Sequence, residues 1–154
     1  MKLDIENYWN KYNPEIAKLR VSKLRDEVID KCIANKVSDL YVANLADLIA
    51  GRIHLGLRLE SRFDVITQVM QVSEILAELL NDLSKHFIIH YYDCLDNHSR
   101  LEPNKADAMD LESLARITPW YLKERLADNP NIIINNNFYD EGIISFNCKG
   151  YEVI

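Results

Sequence analysis

This chain is poor in the residues that usually announce a specialised class. It has four glycines and four prolines in 154 residues, which excludes collagen-like and low-complexity architectures and favours long regular elements. Its three cysteines, Cys32, Cys94 and Cys148, are odd in number and widely spaced. That argues against a secreted disulfide framework and for a reducing compartment. The opening "MKLDIENYWNKY" lacks an apolar core of signal-peptide length, and no window approaches an uncharged apolar run of about 18 residues. No membrane segment is expected, and the chain reads as cytoplasmic, or nuclear in a nucleated host.

Positive charge is also scarce. Eighteen Lys and Arg face 24 Asp and Glu, for a net charge of −6 and a pI near 5.2. Proteins that wrap nucleic acid need a cationic surplus to displace counterions, so any such contact here must come from a local patch. Catalytic motifs are missing as well: no Gly-rich phosphate loop, no G-x-S-x-G, no H-E-x-x-H and no recognisable Cys–His pair. The acid pairs Glu74/Glu78 and Asp93/Asp96 sit at helical spacing and read as solvated helix faces. No enzyme is indicated.

What is present is helical pattern. Asn13-Pro14 pairs a capping side chain with a proline at the first helical position, where its missing N–H costs nothing. Ile16, Leu19, Leu24, Val28 and Cys32 then form a stripe, and the cations of "KLRVSKLR" belong to the solvated side. Ser38-Asp39 suggests a second helix through Leu40, Tyr41, Leu45, Leu48 and Ile49, closed by Gly51. Alternation at Ile53, Leu55, Leu57 and Leu59 suggests a short strand over 52–60, with a continuing helix as the rival that Gly51 and Gly56 weaken. From about Arg62 to Asp96 a single long helix is expected, with Val69, Val72, Leu76, Leu79 and Leu83 as its seam. So much apolar surface on one helix predicts an interface at those five residues, with a second copy or another protein. Near the N-terminus, Tyr8, Trp9 and Tyr12 read as an aromatic staple onto the bundle rather than a base-stacking platform.

After the breaker-rich "LDNHSRLEPNKADAMD", the segment "DLESLARI" predicts a short helix, and Thr118-Pro119 starts another at once, "WYLKERLADN". "NIIINNN" and "IISFNCKGYEVI" then read as a β-hairpin closed at "YDEG". Helix, turn, helix, hairpin is the order of a winged-helix module. Trp120, Asn129-Pro130, Ile132, Phe146, Lys149 and Tyr151 resemble positions in the winged helices of the beta subunit of general transcription factor IIE. The resemblance covers about a third of the chain and departs at Asp140-Glu141, where a DNA-binding wing is more often basic. It implies a groove-facing second helix presenting Thr118, Trp120, Lys123 and Arg125. Against direct DNA binding, residues 100–154 hold six Lys/Arg and nine Asp/Glu.

One cluster has metal-ligand character. In "HFIIHYYDCLDNH", His86, His90, Cys94 and His98 fall four residues apart; on a helix the first three come near one face and would suit zinc, and His98 could fold back from the frayed end. The alternative is that these histidines continue the apolar stripe. No other cofactor is indicated.

Together these features predict a mainly α protein: a helical N-terminal domain over 1–98 with one long central helix, then a winged-helix-like α+β module over 104–154 ending in a β-hairpin. The expected role is a non-enzymatic accessory subunit or adaptor, docking onto a transcription, replication or chromosome-associated assembly through a protein partner or as a homodimer. The alternatives are a direct DNA-binding regulator and a zinc protein using His86, His90 and Cys94.

Overall fold

The segment Ile88–Asp93 carries isoleucines and tyrosines in an almost uninterrupted run, the composition of a strand buried on both faces of a parallel sheet. It forms β4, the central strand of the molecule, in a computed structural model that describes residues 5–6, 11–109 and 111–154. On one side lies β3 (Asp39–Asn44), in parallel register with Val42 opposite Tyr91 and Asn44 opposite Asp93. On the other lies β5 (Ile132–Ile134), also parallel, with Tyr91 opposite Ile134. The order β3-β4-β5 is the chain order.

Parallel neighbours need crossover connections, and helices supply them. Helix α1 (Pro14–Ala34) precedes the sheet. Asn13 caps it, its Oδ1 accepting the Ile16 N–H at 2.8 Å, with Pro14 at the first turn. Helix α2 (Leu55–Glu60) and helix α3 (Val65–Leu83) link β3 to β4. Asp64 caps α3 by accepting from Thr67 N–H at 3.0 Å. A 3-10 turn at Leu114–Arg116 runs directly into helix α4 (Ile117–Arg125), which links β4 to β5.

The helices α1, α3 and α4 cover one face of the sheet. Leu40 and Val42 of β3, Ile89 and Tyr91 of β4, and Ile132 and Ile134 of β5 all point into a single core. There they meet Val28, Ile29 and Cys32 of α1, Ala77, Leu80 and Leu83 of α3, and Leu122 of α4. Leu80, Ile89, Tyr91 and Leu122 are fully buried. An ion pair of 2.7 Å between Arg25 and Asp82 ties α1 to the end of α3. The opposite face carries Tyr41, His90 and Tyr92, and the hairpin β6 (Phe146–Cys148) with β7 (Tyr151–Val153) lies against it. Phe146 stacks on Tyr41 and Tyr92 with ring centroids 4.9 and 5.0 Å apart. A two-residue pairing of β1 (Ile5–Glu6) with β2 (Lys11–Tyr12) precedes α1.

The fold is thus a small α+β arrangement around a parallel sheet, and the mainly α expectation with one long central helix is corrected. The helix expected over 62–96 ends at Leu83, because Ser84 and Lys85 close it and β-branched and aromatic residues follow. Within the run expected as a helix, Asp39–Asn44 is a strand, since Leu40 and Val42 alternate with Tyr41, and 45–49 is irregular. Of the strand and helix readings of 52–60, the helix is the one present, as α2 over Leu55–Glu60. In the C-terminal part, "NIIINNN" does not pair with "IISFN". It enters the parallel sheet as β5, and the hairpin is the later β6–β7 pair turned at Lys149-Gly150. The helix expected at "DLESLARI" is only the 3-10 turn, continuous with α4. A boundary between 98 and 104 therefore falls between strands that share one sheet.

Tyr8 and Trp9 of the expected aromatic staple lie outside the described residues. Tyr12 packs beside Ala17, Val21, Phe63 and Ile75. No helix among the described residues is long and apolar enough to cross a membrane.

Candidate functional site

In an open parallel sheet the strand ends point their backbone and loops toward one edge, and ligands bind at the carboxyl end of the strands. Here that edge is made by Asn44, by Asp93 to Leu95, and by Asn135 to Asn137. It opens as two adjoining hollows. One, of about 370 Å³, lies between Asp93, Cys94, one side of α4 and its N-cap (Arg116, Pro119, Trp120, Lys123), Asn135–Asn137 and Glu141. The other, of about 640 Å³, extends past Cys94 and Asp96 toward Leu45–Asp47, Arg100, Lys105 and Met109.

Asp93 is the chemical centre of the narrower hollow. It ends the most buried strand of the molecule, so its carboxyl is half-buried. Loss of solvent raises its pKa from 3.8 to about 6, while the Tyr91 hydroxyl and Lys123 hold that rise back and Glu141 adds to it. Tyr91 itself is fully buried beside Asn44 and Asp93, and burial pushes its hydroxyl well above the usual phenol value. The hydroxyl forms no hydrogen bond of normal geometry, and neither does the buried Oδ1 of Asn137. Asn137 spends its Nδ2 on the Asp93 carbonyl at 2.7 Å and the Glu141 carbonyl at 3.2 Å. Two unpartnered polar atoms at one strand end are the kind of exception that marks a site.

The rim is cationic and aromatic. Lys123 Nζ donates to Asn136 Oδ1 at 2.8 Å, and Arg116 pairs with Glu141 at 3.2 Å. Trp120 is 61% exposed at the mouth. The loop after β3 adds backbone strain: Ala46 and Asp47 sit at φ 72° and 53°, a left-handed conformation rare for residues other than glycine. The Asp47 N–H donates to Asp96 Oδ2 at 3.2 Å, and Asp96 also accepts from Ser99 N–H at 2.5 Å.

Of the four residues expected to face nucleic acid, two line this hollow. Trp120 and Lys123 are there. Thr118 is buried, its hydroxyl 3.0 Å from that of Ser73 on α3, so it joins helices rather than facing a ligand. Arg125 lies on another side of α4, 3.6 Å from Glu74, which also accepts the Tyr121 hydroxyl.

The zinc candidates are not brought together. Their spacing suits a helix, but His86 lies in a turn, His90 in β4 and Cys94 just after it, so the helical register that would align them is absent. His86 is exposed before β4. His90 is on the face opposite the helices, stacked on Tyr41 and 3.5 Å from Asp39. Cys94 is at the carboxyl edge, its thiol pointing to the Asn44 carbonyl at 3.7 Å. Burial, then Asp93, Asp96 and Asp47, push that thiol up and away from the thiolate a metal would need. Among the described residues no group of three His, Cys, Asp or Glu is placed to hold a metal ion.

The five residues expected at an interface pack within the chain. Val69 and Leu83 are buried, Val72 packs beside Ile49 and Leu114, and Leu76 and Leu79 pack against the main core. The exposed apolar groups of α3 are instead Ile66 and Met70.

Asp93 is the residue that sequence reasoning missed. Its pairing with Asp96 looked like a helix face only because the segment was taken as helix. A signal was available: an acid directly ending the run "IIHYY" stands at the carboxyl end of a buried strand.

No family model and no solved structure matches this chain. It is 31% identical over 152 residues to the SPbeta prophage-derived uncharacterized protein YonJ of Bacillus subtilis (strain 168). The match takes in 94% of this chain and 36% of that protein, so the chain spans about a third of the length of the curated relative it matches.

Proposed function

We propose that this chain is a nucleotide-recognising α/β module that holds a nucleoside phosphate, free or at the end of a single nucleic-acid strand, at the carboxyl edge of its sheet. The observation that carries the reading is the convergence of Asp93, Arg116, Trp120 and Lys123 on one hollow of about 370 Å³. Each supplies a different part of the recognition. The exposed indole offers a face on which a base can stack, worth about 1–3 kcal/mol per base. Arg116 and Lys123 offer charge-assisted donors to phosphate. Asn135 and Asn136 add carboxamides, and Asp93 supplies the acceptor at the floor. An overall net charge of −6 fits a small ligand or a strand end better than a wrapped duplex.

Calorimetric titration with nucleoside monophosphates at low salt tests this. Binding is expected, weakened about tenfold by Lys123→Ala and by Trp120→Ala, since a charged hydrogen bond or one stacked base is worth at least about 1.4 kcal/mol. Absence of binding of every nucleotide at millimolar concentration overturns the reading.

A second reading, an accessory module docking onto a larger assembly, is favoured by the wider hollow. Leu45, Met109 and Leu111 line it and are 78%, 65% and 58% exposed. Large apolar side chains gathered on a rim mark protein contact surfaces. A partner lost on Leu45→Glu with Met109→Glu supports that role; a partner retained by the double variant removes it.

A further inference from the structure

The two ends of the narrower hollow demand opposite chemistry from whatever fills it. Its rim carries the donors Lys123 and Arg116, the latter 3.2 Å from the Glu141 carboxylate, and two cations against one anion suit an anionic ligand. Its floor is made of acceptors. The partly buried Asp93 carboxyl lines it, and the Asn137 side chain braces that strand end through Nδ2, which donates to the carbonyls of Asp93 and Glu141. A carboxylate taken partly out of water gains from any ligand that brings N–H groups to it. The occupant therefore presents adjacent donors at its inner end, a flat body under Trp120 and a phosphate at the rim.

Among the common bases, only guanine carries a ring N–H next to an exocyclic amine. A carboxylate takes both at once. Adenine presents an acceptor beside its amine, so its N1 lone pair would face the carboxylate oxygen and repel it. Cytosine has the same mismatch, and uracil has one ring N–H between two carbonyls. We infer that Asp93 is the specificity-determining residue of the hollow, accepting the Watson–Crick edge of a guanine nucleotide while Lys123 and Arg116 hold its phosphate. This rests on the nucleotide reading above and goes beyond it by naming the base and the group that selects it.

The chemistry of one atom pair supplies the test. In Asp93→Asn a carboxylate oxygen is exchanged for an amide NH2, converting two acceptors into an acceptor and a donor. That pattern matches adenine, as the familiar pairing of Asn with adenine shows. A site matched to ligand donors discriminates by about 1–3 kcal/mol per bidentate contact, or roughly tenfold to a hundredfold. Titrations at pH 7.5 with guanosine, inosine and adenosine monophosphates are compared on the full chain and on Asp93→Asn, each checked for fold by circular dichroism. Guanosine monophosphate is expected to bind at least tenfold tighter than adenosine monophosphate. Inosine monophosphate, which lacks the amine, should fall between them, and Asp93→Asn should reverse the order of the outer two. A merely structural Asp93 would weaken all three alike without reordering them.

Equal binding of the three by the wild type, or an unchanged order in Asp93→Asn, overturns the guanine assignment and leaves nucleotide binding standing. If none of the three binds, the nucleotide reading and the assignment fall together.

Discussion

Replacing Asp93 with Asn should make this protein more stable at neutral pH and leave it unchanged in acid. Folding moves the Asp93 carboxyl into a half-buried position and raises its pKa from 3.8 to about 6. Each tenfold change in proton affinity is worth about 1.4 kcal/mol, so a gap of roughly two powers of ten costs the folded state about 3 kcal/mol once the group is ionised. Water entering the crevice screens the charge, which lowers the working figure to about 1–2 kcal/mol. The groups around the carboxyl are Tyr91 on its own strand, Lys123 on α4 and Glu141 beyond β5, and the shift of about two powers of ten already includes them.

The sign follows from proton counting. Between about pH 4 and 6 the folded chain holds this proton and the unfolded chain has lost it, so stability falls as pH rises through that window and levels off above it. Asp93→Asn removes the charge and with it this component of the pH dependence. At pH 7.5 the variant should be more stable by about 1–2 kcal/mol, a rise in melting temperature of about 2–8 °C for a chain of this size. At pH 3, below both values, the carboxyl is protonated in the folded and the unfolded chain, and the difference should shrink to near zero. Urea unfolding followed by circular dichroism at both pH values measures it. A difference of the same size at both, or a variant less stable at pH 7.5, would refute the claim that Asp93 is held ionised against its environment.

Gly51 lies at φ +69°, and a Cβ added there would stand 1.9 Å from the His98 carbonyl oxygen, so Gly51→Ala should destabilise by at least about 3 kcal/mol, read as a lowered urea midpoint. Gly56 in α2 has nothing within 4 Å of such an atom, and Gly56→Ala should raise the midpoint by about 0.5–1 kcal/mol. Leu76→Glu with Leu79→Glu should unfold or aggregate the chain, since both pack against the main core; a soluble, folded double variant would show that they are not needed there. Phe146→Ala removes two ring stacks and should cost about 1–3 kcal/mol, with amide exchange accelerated in β6–β7 while α3 stays protected.

The local signals in the sequence were read more accurately than their context. The Asn13-Pro14 start of α1, the turn at Thr118-Pro119 into α4 and the apolar stripe of α3 are all present, because caps and periodicity act within a few residues. What failed was the choice between helix and strand for short apolar runs. "DLYVAN" and "IIHYYD" become β3 and β4 because each pairs with a neighbour some 50 positions away, and no local pattern records that pairing. The error at β4 then displaced two functional readings. Read as helix, the segment put His86, His90 and Cys94 on one face and Asp93 on a solvated one. Read as strand, it scatters the former and sets the latter at the carboxyl edge. On α4, where the helix was anticipated, two of the four proposed contact residues reached the crevice.

The distribution of unfavourable features argues for the same edge without reference to any ligand. Two consecutive non-glycine residues with positive φ, Ala46 and Asp47, follow β3 there. A carboxyl held against its solvation ends β4 there, and the two buried side-chain atoms without a partner among the described residues, on Tyr91 and Asn137, adjoin it. The core below is made of Leu80, Ile89 and Leu122, fully buried and apolar. Strain and unsatisfied polarity each cost about 1–3 kcal/mol and persist where they serve a site. Relieving the strained or ionised members singly, by Ala46→Gly, Asp47→Gly or Asp93→Asn, should stabilise the chain, whereas the same changes in regular, apolar parts of the fold should not. That asymmetry separates an edge shaped for binding from a sheet end that is only irregular, because irregular loops have no reason to hold an ionised carboxylate at the end of the most buried strand.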